Sequence, residues 1–402
     1  MKLFKTKKRW NHCLIIIAIG LQLYSTHCKP GITYDSRQYL STAHSFAQSR
    51  QLLNEKGIPH LAHTPLYAII LSGLGPNRMQ LSKYLHTVCL IITLWCFIYL
   101  ANQVLQSVYF QWLFAILLAT ATPLQLIHHF VWSEPVFLAF LAILLVLCYW
   151  WLSHPTSPLF WGMILAGFFL CLQRNPGIFV ILGMALGLWW FTKTKRWRIA
   201  VFVMLSISGW LAWTAYTFQT NQSDIQPAFH NLLREITTRH NLDHHLNVLS
   251  SWWMPLTIPL IVRGPGWLAL MIALVGSGMY RRIRLSQFTK ILSIICFVYI
   301  ICLQFTERVD YHETTRYLTV IFPLAMLVIF SVIELVFRHL SVNIAQTFKW
   351  LLLFWMFYPM SRTWKNVATW HQIRCKEKPT IIEIREDARN SLPIKASDFV
   401  DR

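Results

Sequence analysis

Apolar runs of about the length that crosses a bilayer recur along almost the whole of this chain, and no polar stretch between them is long enough to fold alone. This leaves few folds open, because backbone groups in hydrocarbon must find their hydrogen bonds internally, and a helix does so within one segment. Composition agrees: 55% of the residues are hydrophobic, 13% are charged and mean hydropathy is +0.45, against roughly 25% charged in soluble proteins. The chain reads as an all-α integral membrane protein. Residues 1–361 form one multi-spanning helical bundle that includes an outer loop at 25–80, and residues 362–402 form a polar tail.

The spans are expected at about 14–24, 82–103, 108–127, 135–152, 159–173, 177–192, 198–217, 257–280, 287–305, 317–337 and 348–361, about eleven in all. Lys2, Lys5, Lys7, Lys8 and Arg9 precede the first apolar run, so a cleaved signal peptide is the alternative there. Ser25-Thr26-His27-Cys28 is a poor small-residue cleavage site, and the first helix is read as retained, with its amino end in the cytoplasm. Alternation then places the basic loops 193–198, 281–284 and 338–349 in the cytoplasm, as the positive-inside rule requires. The net charge of +20 therefore serves orientation and anionic lipid. Nucleic acid is not expected as a partner, since the basic residues sit in short clusters between apolar runs.

The same alternation collects the polar candidates on the outer side. In the first loop Tyr39, Leu40, Ala43, Phe46, Ala47 and Leu53 follow Asp35 at mostly helical spacing, which predicts a helix lying in the interface. It is expected to end near Lys56-Gly57, with Gly57 as C-cap and Pro59 beyond. Asp35 has two readings. As a carboxylate at the mouth of a membrane cavity it would take a proton from an attacking hydroxyl or amine; with Gln38 three residues on, it would form a capping box. The residues alone leave both open.

Glu134 in Trp132-Ser133-Glu134-Pro135 likewise divides between a catalytic or metal-binding role and a structural one, with Ser133 as N-cap and Pro135 in the first turn. Lys83, Arg174, Arg263 and Arg316 all fall at outer helix ends, where they either anchor helices among headgroups or, if they converge, bind a phosphate. The helices flanking Arg174 span only about 24 Å of a roughly 30 Å core, so Arg174 is expected just below the surface, facing a cavity or an anion. Arg263-Gly264-Pro265-Gly266 marks a broken helix or re-entrant turn. The loop Asp310-Tyr311-His312-Glu313-Thr314-Thr315-Arg316-Tyr317 is dense in ionisable groups, and His240, Asp243, His244 and His245 match no metal-ligand spacing. Six of nine cysteines lie inside apolar runs; Cys28 and Cys375 are able to meet outside the membrane but are expected to remain unpaired. GxSxG, a P-loop and a Rossmann GxGxxG are absent, which counts against serine hydrolases, ATPases and dinucleotide enzymes.

Taken in order, these local stretches resemble the GT-C glycosyltransferases, above all the protein O-mannosyltransferases and the bacterial lipid A aminoarabinose transferases. The family's first loop reads Asp-Glu-x-x-Tyr and then Lys-Pro-Pro-Leu-Tyr, which here are Asp35-Ser36-Arg37-Gln38-Tyr39 and His63-Thr64-Pro65-Leu66-Tyr67. Trp132-Ser133-Glu134-Pro135 is similar to its Ser-Glu helix start, Arg174-Asn175-Pro176-Gly177 to its Arg-x-x-Gly turn, and Arg316-Tyr317 to its late Arg-Tyr. The likeness covers roughly residues 10–335.

The resemblance implies a GT-C-like bundle that moves one sugar from a polyprenyl-phosphate donor to a lipid, glycan or protein acceptor at the outer face of a plasma membrane. It implies Asp35 as catalytic base or its organiser, with Glu134 as partner. Arg37, Tyr39, His63, Tyr67, Lys83, Arg174, Arg316 and Tyr317 would bind substrate. Ser36 stands where relatives carry a second acid and His63-Thr64 where they carry Lys-Pro, so no metal ligand and no cofactor is assigned. A lipid-linked glycan transporter, and an O-antigen polymerase or ligase, are the alternative functions.

Overall fold

The computed structural model describes residues 2–54, 57–59, 63–220, 239–255, 257–263, 285–304 and 311–376. Among these every regular element is a helix: α1 (Lys2–Ser25), α2 (Tyr34–Ser49), α3 (Leu66–Ser72), α4 (Arg78–Val104), α5 (Val108–Ala119), α6 (Thr122–His129), α7 (Glu134–Ser153), α8 (Ser157–Gln173), α9 (Gly177–Phe191), α10 (Arg196–Thr220), α11 (Arg239–Ser251), α12 (Gln287–Gln304), α13 (Tyr311–Thr319), α14 (Phe322–Phe337), α15 (Val342–Trp355) and α16 (Phe357–Cys375). Helices α4, α7, α10 and α12, and α5 with α6 taken together, are long and apolar enough to cross a membrane; the apolar part of α1 and the shorter α8, α9 and α14 accompany them. The chain is an integral membrane protein. The expected span at 257–280 lies mostly outside the described residues.

Three expected spans are each broken into two helices, and each break has a proline just after it. The span at 108–127 divides at Thr120-Ala121 before Pro123, that at 317–337 at Val320-Ile321 before Pro323, and that at 348–361 at Met356 before Pro359. Proline lacks an N–H and crowds the carbonyl four residues back, so it suits a first turn and ends the helix behind it. Helix α16 then continues to Cys375, so the boundary expected at 361 and 362 falls inside it.

Tight packing rests on small residues. A Cβ at Gly183 would lie 2.8 Å from the Ile295 Cα and one at Gly187 3.1 Å from the Ile291 Cα, so glycines four apart let α9 lie directly on the backbone of α12. At one end of the bundle Glu334 of α14 accepts the N–H groups of Gln106 (3.0 and 3.1 Å) and Ser107 (2.5 Å), satisfying the turn that opens α5. Arg338 pairs with Glu334 at the same end. At the other end α1 finishes against α4: Gln22 Nε2 donates to the Lys83 carbonyl, and Thr87 Oγ1 donates to Gln22 Oε1 at 2.7 Å.

Cys28 and Cys375 form a disulfide here, which corrects the expectation that they stay apart. The cause is tertiary: α1 and α16 run side by side, the Tyr24 ring stacks on His371 at 4.1 Å, and the Tyr24 carbonyl is 2.8 Å from His371 Nδ1. The bond closes a loop across a separation of 347 residues. Cys28→Ser is expected to lower stability by about 3 kcal/mol, read as a fall in Tm in detergent without reductant.

Candidate active site

The site begins with how α2 starts. Thr33 is its N-cap: Thr33 Oγ1 accepts the Ser36 N–H and Ser36 Oγ accepts the Thr33 N–H at 3.0 Å, a complete capping box. The expected box between Asp35 and Gln38 is therefore not the one that forms, and the Asp35 carboxylate is left to act elsewhere. Ser36, at the position of a second acid in the resembling family, is buried in the cap. Thr33 Oγ1 also accepts from Trp132 Nε1 at 2.8 Å. Just upstream, Gly31 pairs with Phe130 through two 2.9 Å backbone bonds, Gly31 N–H to the His129 carbonyl and Val131 N–H to the Gly31 carbonyl. A Cβ at Gly31 would lie 2.3 Å from the buried Phe130 ring, so a side chain there would have to push that ring aside. Helix α2 ends at Arg50, which takes the left-handed conformation at φ 59°, and so stops seven residues before the expected Gly57 cap; Gly57 turns the following loop instead.

Asp35, Glu134, Arg174 and Arg316, from four separated parts of the chain, meet in one cluster. Arg316 Nη1 donates to Asp35 Oδ2 at 2.6 Å, and its Nε donates to Glu134 Oε1 at 2.7 Å. Arg174 Nη1 pairs with the same Glu134 oxygen. Each guanidinium also rests on an aromatic ring, Arg316 on Trp132 at 4.2 Å and Arg174 on Tyr317 at 4.8 Å from the ring centroid. The Asp35 side chain is 21% exposed and that of Glu134 0%, so the cluster opens at Asp35 and is closed at Glu134. Glu134 Oε2 is buried and has no hydrogen-bond partner among the described residues.

The remaining predicted residues frame this cluster. His63 Nε2 is 3.9 Å from Asp35 Oδ1, and its ring lies 4.7 Å from that of Tyr39. Tyr39 shares a 3.1 Å hydrogen bond with Ser133, so Ser133 does not cap α7 with its side chain as expected. Tyr67 meets Tyr39 edge-on and shares a 2.8 Å hydrogen bond with His86. Gln173 and Thr64, which carried no expectation, lock the rear: Gln173 Nε2 donates to the Ser133 carbonyl at 3.0 Å and Thr64 Oγ1 to the Gln173 carbonyl at 2.6 Å. Trp132 was visible only as an aromatic beside Ser-Glu-Pro.

No described contact joins Lys83 to the cluster; its ammonium is 3.4 Å from the His27 carbonyl. Arg263 donates to Asn247 and Ser250 of α11. Arg37 lies on α2, two residues beyond Asp35. The side chains of His240 and Asp243 and the residues Gly264, Pro265, Gly266 and Asp310 lie outside the described residues.

Burial pushes the Asp35 carboxyl up, but Arg316 and then His63 outweigh it and hold the group below its ordinary value of 3.8. The stability this lends is fully present above the unfolded carboxylate value and fades as pH falls through the lower folded one. For Arg316, burial is outweighed by Glu134 and Asp35, and the guanidinium stays charged.

Arg174 owes its place to a tight turn. The Gly177 N–H bonds the Arg174 carbonyl at 3.0 Å, and a Cβ at Gly177 would sit 2.7 Å from the Leu170 carbonyl oxygen and 2.8 Å from the Cys171 Cα. Those are backbone atoms that no rotamer change moves. Gly177→Ala is expected to cost about 1 to 3 kcal/mol by overpacking and to displace Arg174, seen as a lower Tm in detergent.

No protein-family model and no curated protein sequence matches the chain. Solved structures do. The chain is similar to ArnT from Cupriavidus metallidurans bound to undecaprenyl phosphate (TM-score 0.53, 11% identity, 96% of this chain and 74% of that one). It is also similar to the oligosaccharyltransferase AglB from Archaeoglobus fulgidus, in complex with an inhibitory peptide and a dolichol-phosphate (TM-score 0.54, 11% identity, 98% of this chain and 61% of that one). Both neighbours are GT-C glycosyltransferases. At such low identity the likeness speaks for architecture alone, and the architecture of this chain is that of the GT-C membrane glycosyltransferases, as the order of its motifs implied.

Proposed function

We propose that this protein transfers a single sugar from a polyprenyl-phosphate donor to a lipid, glycan or protein acceptor at the outer face of the membrane. The observation that carries the reading is the Asp35, Arg316, Glu134 and Arg174 cluster, built within a GT-C fold from residues 35 to 316. The named neighbours hold undecaprenyl phosphate and dolichol-phosphate, ligands of the donor class proposed here.

In the reaction the acceptor oxygen or nitrogen bonds to the anomeric carbon while the bond from that carbon to the phosphate oxygen breaks. Asp35 takes the acceptor's proton, and the electron pair of the broken bond stays on the phosphate, where Arg316 and Arg174 stabilise it. Displacement in one step inverts the anomeric centre. Glu134 touches both arginines and positions them. Tyr39, Tyr67, His63, Arg37 and Tyr317 shape the sugar and acceptor pocket, and Lys83 guides the lipid headgroup from the rim. The outward orientation is supported by charge: residues 193–198 and 338–349 are basic and follow helix ends opposite the site, where positive-inside bias holds them in the cytoplasm.

The test is transfer by the purified full chain in liposomes, given a panel of radiolabelled polyprenyl-phosphate hexoses and pentoses and membrane extract. Label is expected to appear in an acceptor fraction. No transfer from any donor overturns the reading, and donor movement across sealed vesicles without transfer assigns the chain to transport.

A further inference from the structure

The cluster holds an inconsistency with simple base catalysis. Asp35 stands at the mouth, yet its Oδ2 is taken by Arg316 Nη1 at 2.6 Å, and a carboxylate held by a guanidinium is a poor proton acceptor. The arginines are engaged as well. Two carboxylates oppose two guanidiniums, and Glu134 Oε1 alone receives contacts from both Arg174 and Arg316. A phosphate approaching a balanced set gains no net attraction unless one carboxylate gives up its arginine.

Geometry decides which one yields. Glu134 is fully buried, serves both arginines and has nowhere to move. Asp35 is the most exposed of the four, on the first turn of α2, and of the two arginines Arg316 is the one that pairs with it. The groups facing Asp35 are Arg316 from α13, Glu134 from α7 and His63 from the loop before α3, with Tyr39 one turn along its own helix. Once Arg316 turns away, His63 at 3.9 Å is the near neighbour of a carboxylate that still faces the opening.

Resting on the proposed function, we infer that the donor's phosphate takes Arg316 Nη1 from Asp35, and that this exchange frees the Asp35 carboxylate to accept the acceptor's proton. The exchange makes and breaks only hydrogen bonds. Arg316 keeps its Nε bond to Glu134 as a pivot and its stack on Trp132 as a rail. The base is thus competent only when donor is bound, and an empty site does not activate water.

Farnesyl phosphate, a short polyprenyl phosphate, serves as probe in calorimetric titrations of the full chain in detergent. Asp35→Asn is expected to bind it about tenfold tighter than the wild type, because the phosphate no longer competes for Arg316. In an Arg316→Gln background the same substitution is expected to bring no gain. Equal or weaker binding by Asp35→Asn overturns the exchange, and so does a gain that persists in the Arg316→Gln background, which is the mark of plain charge repulsion. Where Arg316→Gln fails to fold, proton uptake on binding at pH 5.5, compared between two buffers of different ionisation enthalpy, replaces that arm. The wild type is expected to take up more protons than Asp35→Asn, and equal uptake overturns the exchange. If neither the wild type nor Asp35→Asn binds farnesyl phosphate, the lipid-phosphate reading itself falls.

Discussion

Asp35→Asn is expected to reduce sugar transfer by about 100-fold to 10,000-fold, the range that general-base catalysis supplies. The amide keeps the shape of the carboxylate and an oxygen for Arg316, so α2, whose start is secured by Thr33 and Ser36, stays in place. The loss should therefore fall on kcat, with KM for the donor lower, as Arg316 becomes available to phosphate. Steady-state kinetics at saturating acceptor separates the two quantities. A rise in KM at constant kcat would make Asp35 a binding residue and remove it from the chemistry.

Glu134→Ala is expected to be the most damaging single change in the site for stability. It strips the common partner from two buried guanidiniums, and breaking a buried ion pair by removing one side costs about 3 to 5 kcal/mol. Arg316 would retain Asp35, whereas Arg174 would retain, among the described residues, its stack on Tyr317. Thermal melts in detergent should show a large fall in Tm, with loss of transfer. Glu134→Gln should recover part of the Tm, since the amide oxygen still accepts one arginine, but little of the transfer. Wild-type transfer by Glu134→Gln would show that the charge at this position does not position the arginines.

Features governed by local composition were legible before any coordinates. The apolar runs of α4, α7, α10 and α12 lie within a few residues of the expected spans, and Pro135 stands in the first turn of α7 as expected. The features that depend on distant residues were not. Asp35 with Gln38 supplies the Gln that a capping box favours, whereas the box that forms joins Thr33 to Ser36, and the Asp35 carboxylate pairs with Arg316, 281 residues further on. Arg50 ends α2 in a left-handed conformation that favours glycine, so no local rule preferred it to Gly57. Each broken span contains its proline in plain view, but apolar length alone let the helix run through it. The convergence of Asp35, Glu134, Arg174 and Arg316 was carried only by the order of motifs resembling a family; spacing had no access to it.

The bond between Cys28 and Cys375 bears on how the molecule is made. Chains are synthesised and inserted from the amino end, so Cys28 emerges early and waits while nearly every other helix follows. Its partner belongs to α16, the last described helix, and Cys28 lies only three residues before Gly31, the anchor of the strap that leads into Asp35. A chain that ends before residue 375 therefore lacks this covalent tether beside the segment that leads into Asp35. The segment before Asp35 is thus tethered only once α16, whose cysteine lies 347 residues further along the chain, has been made and packed against α1.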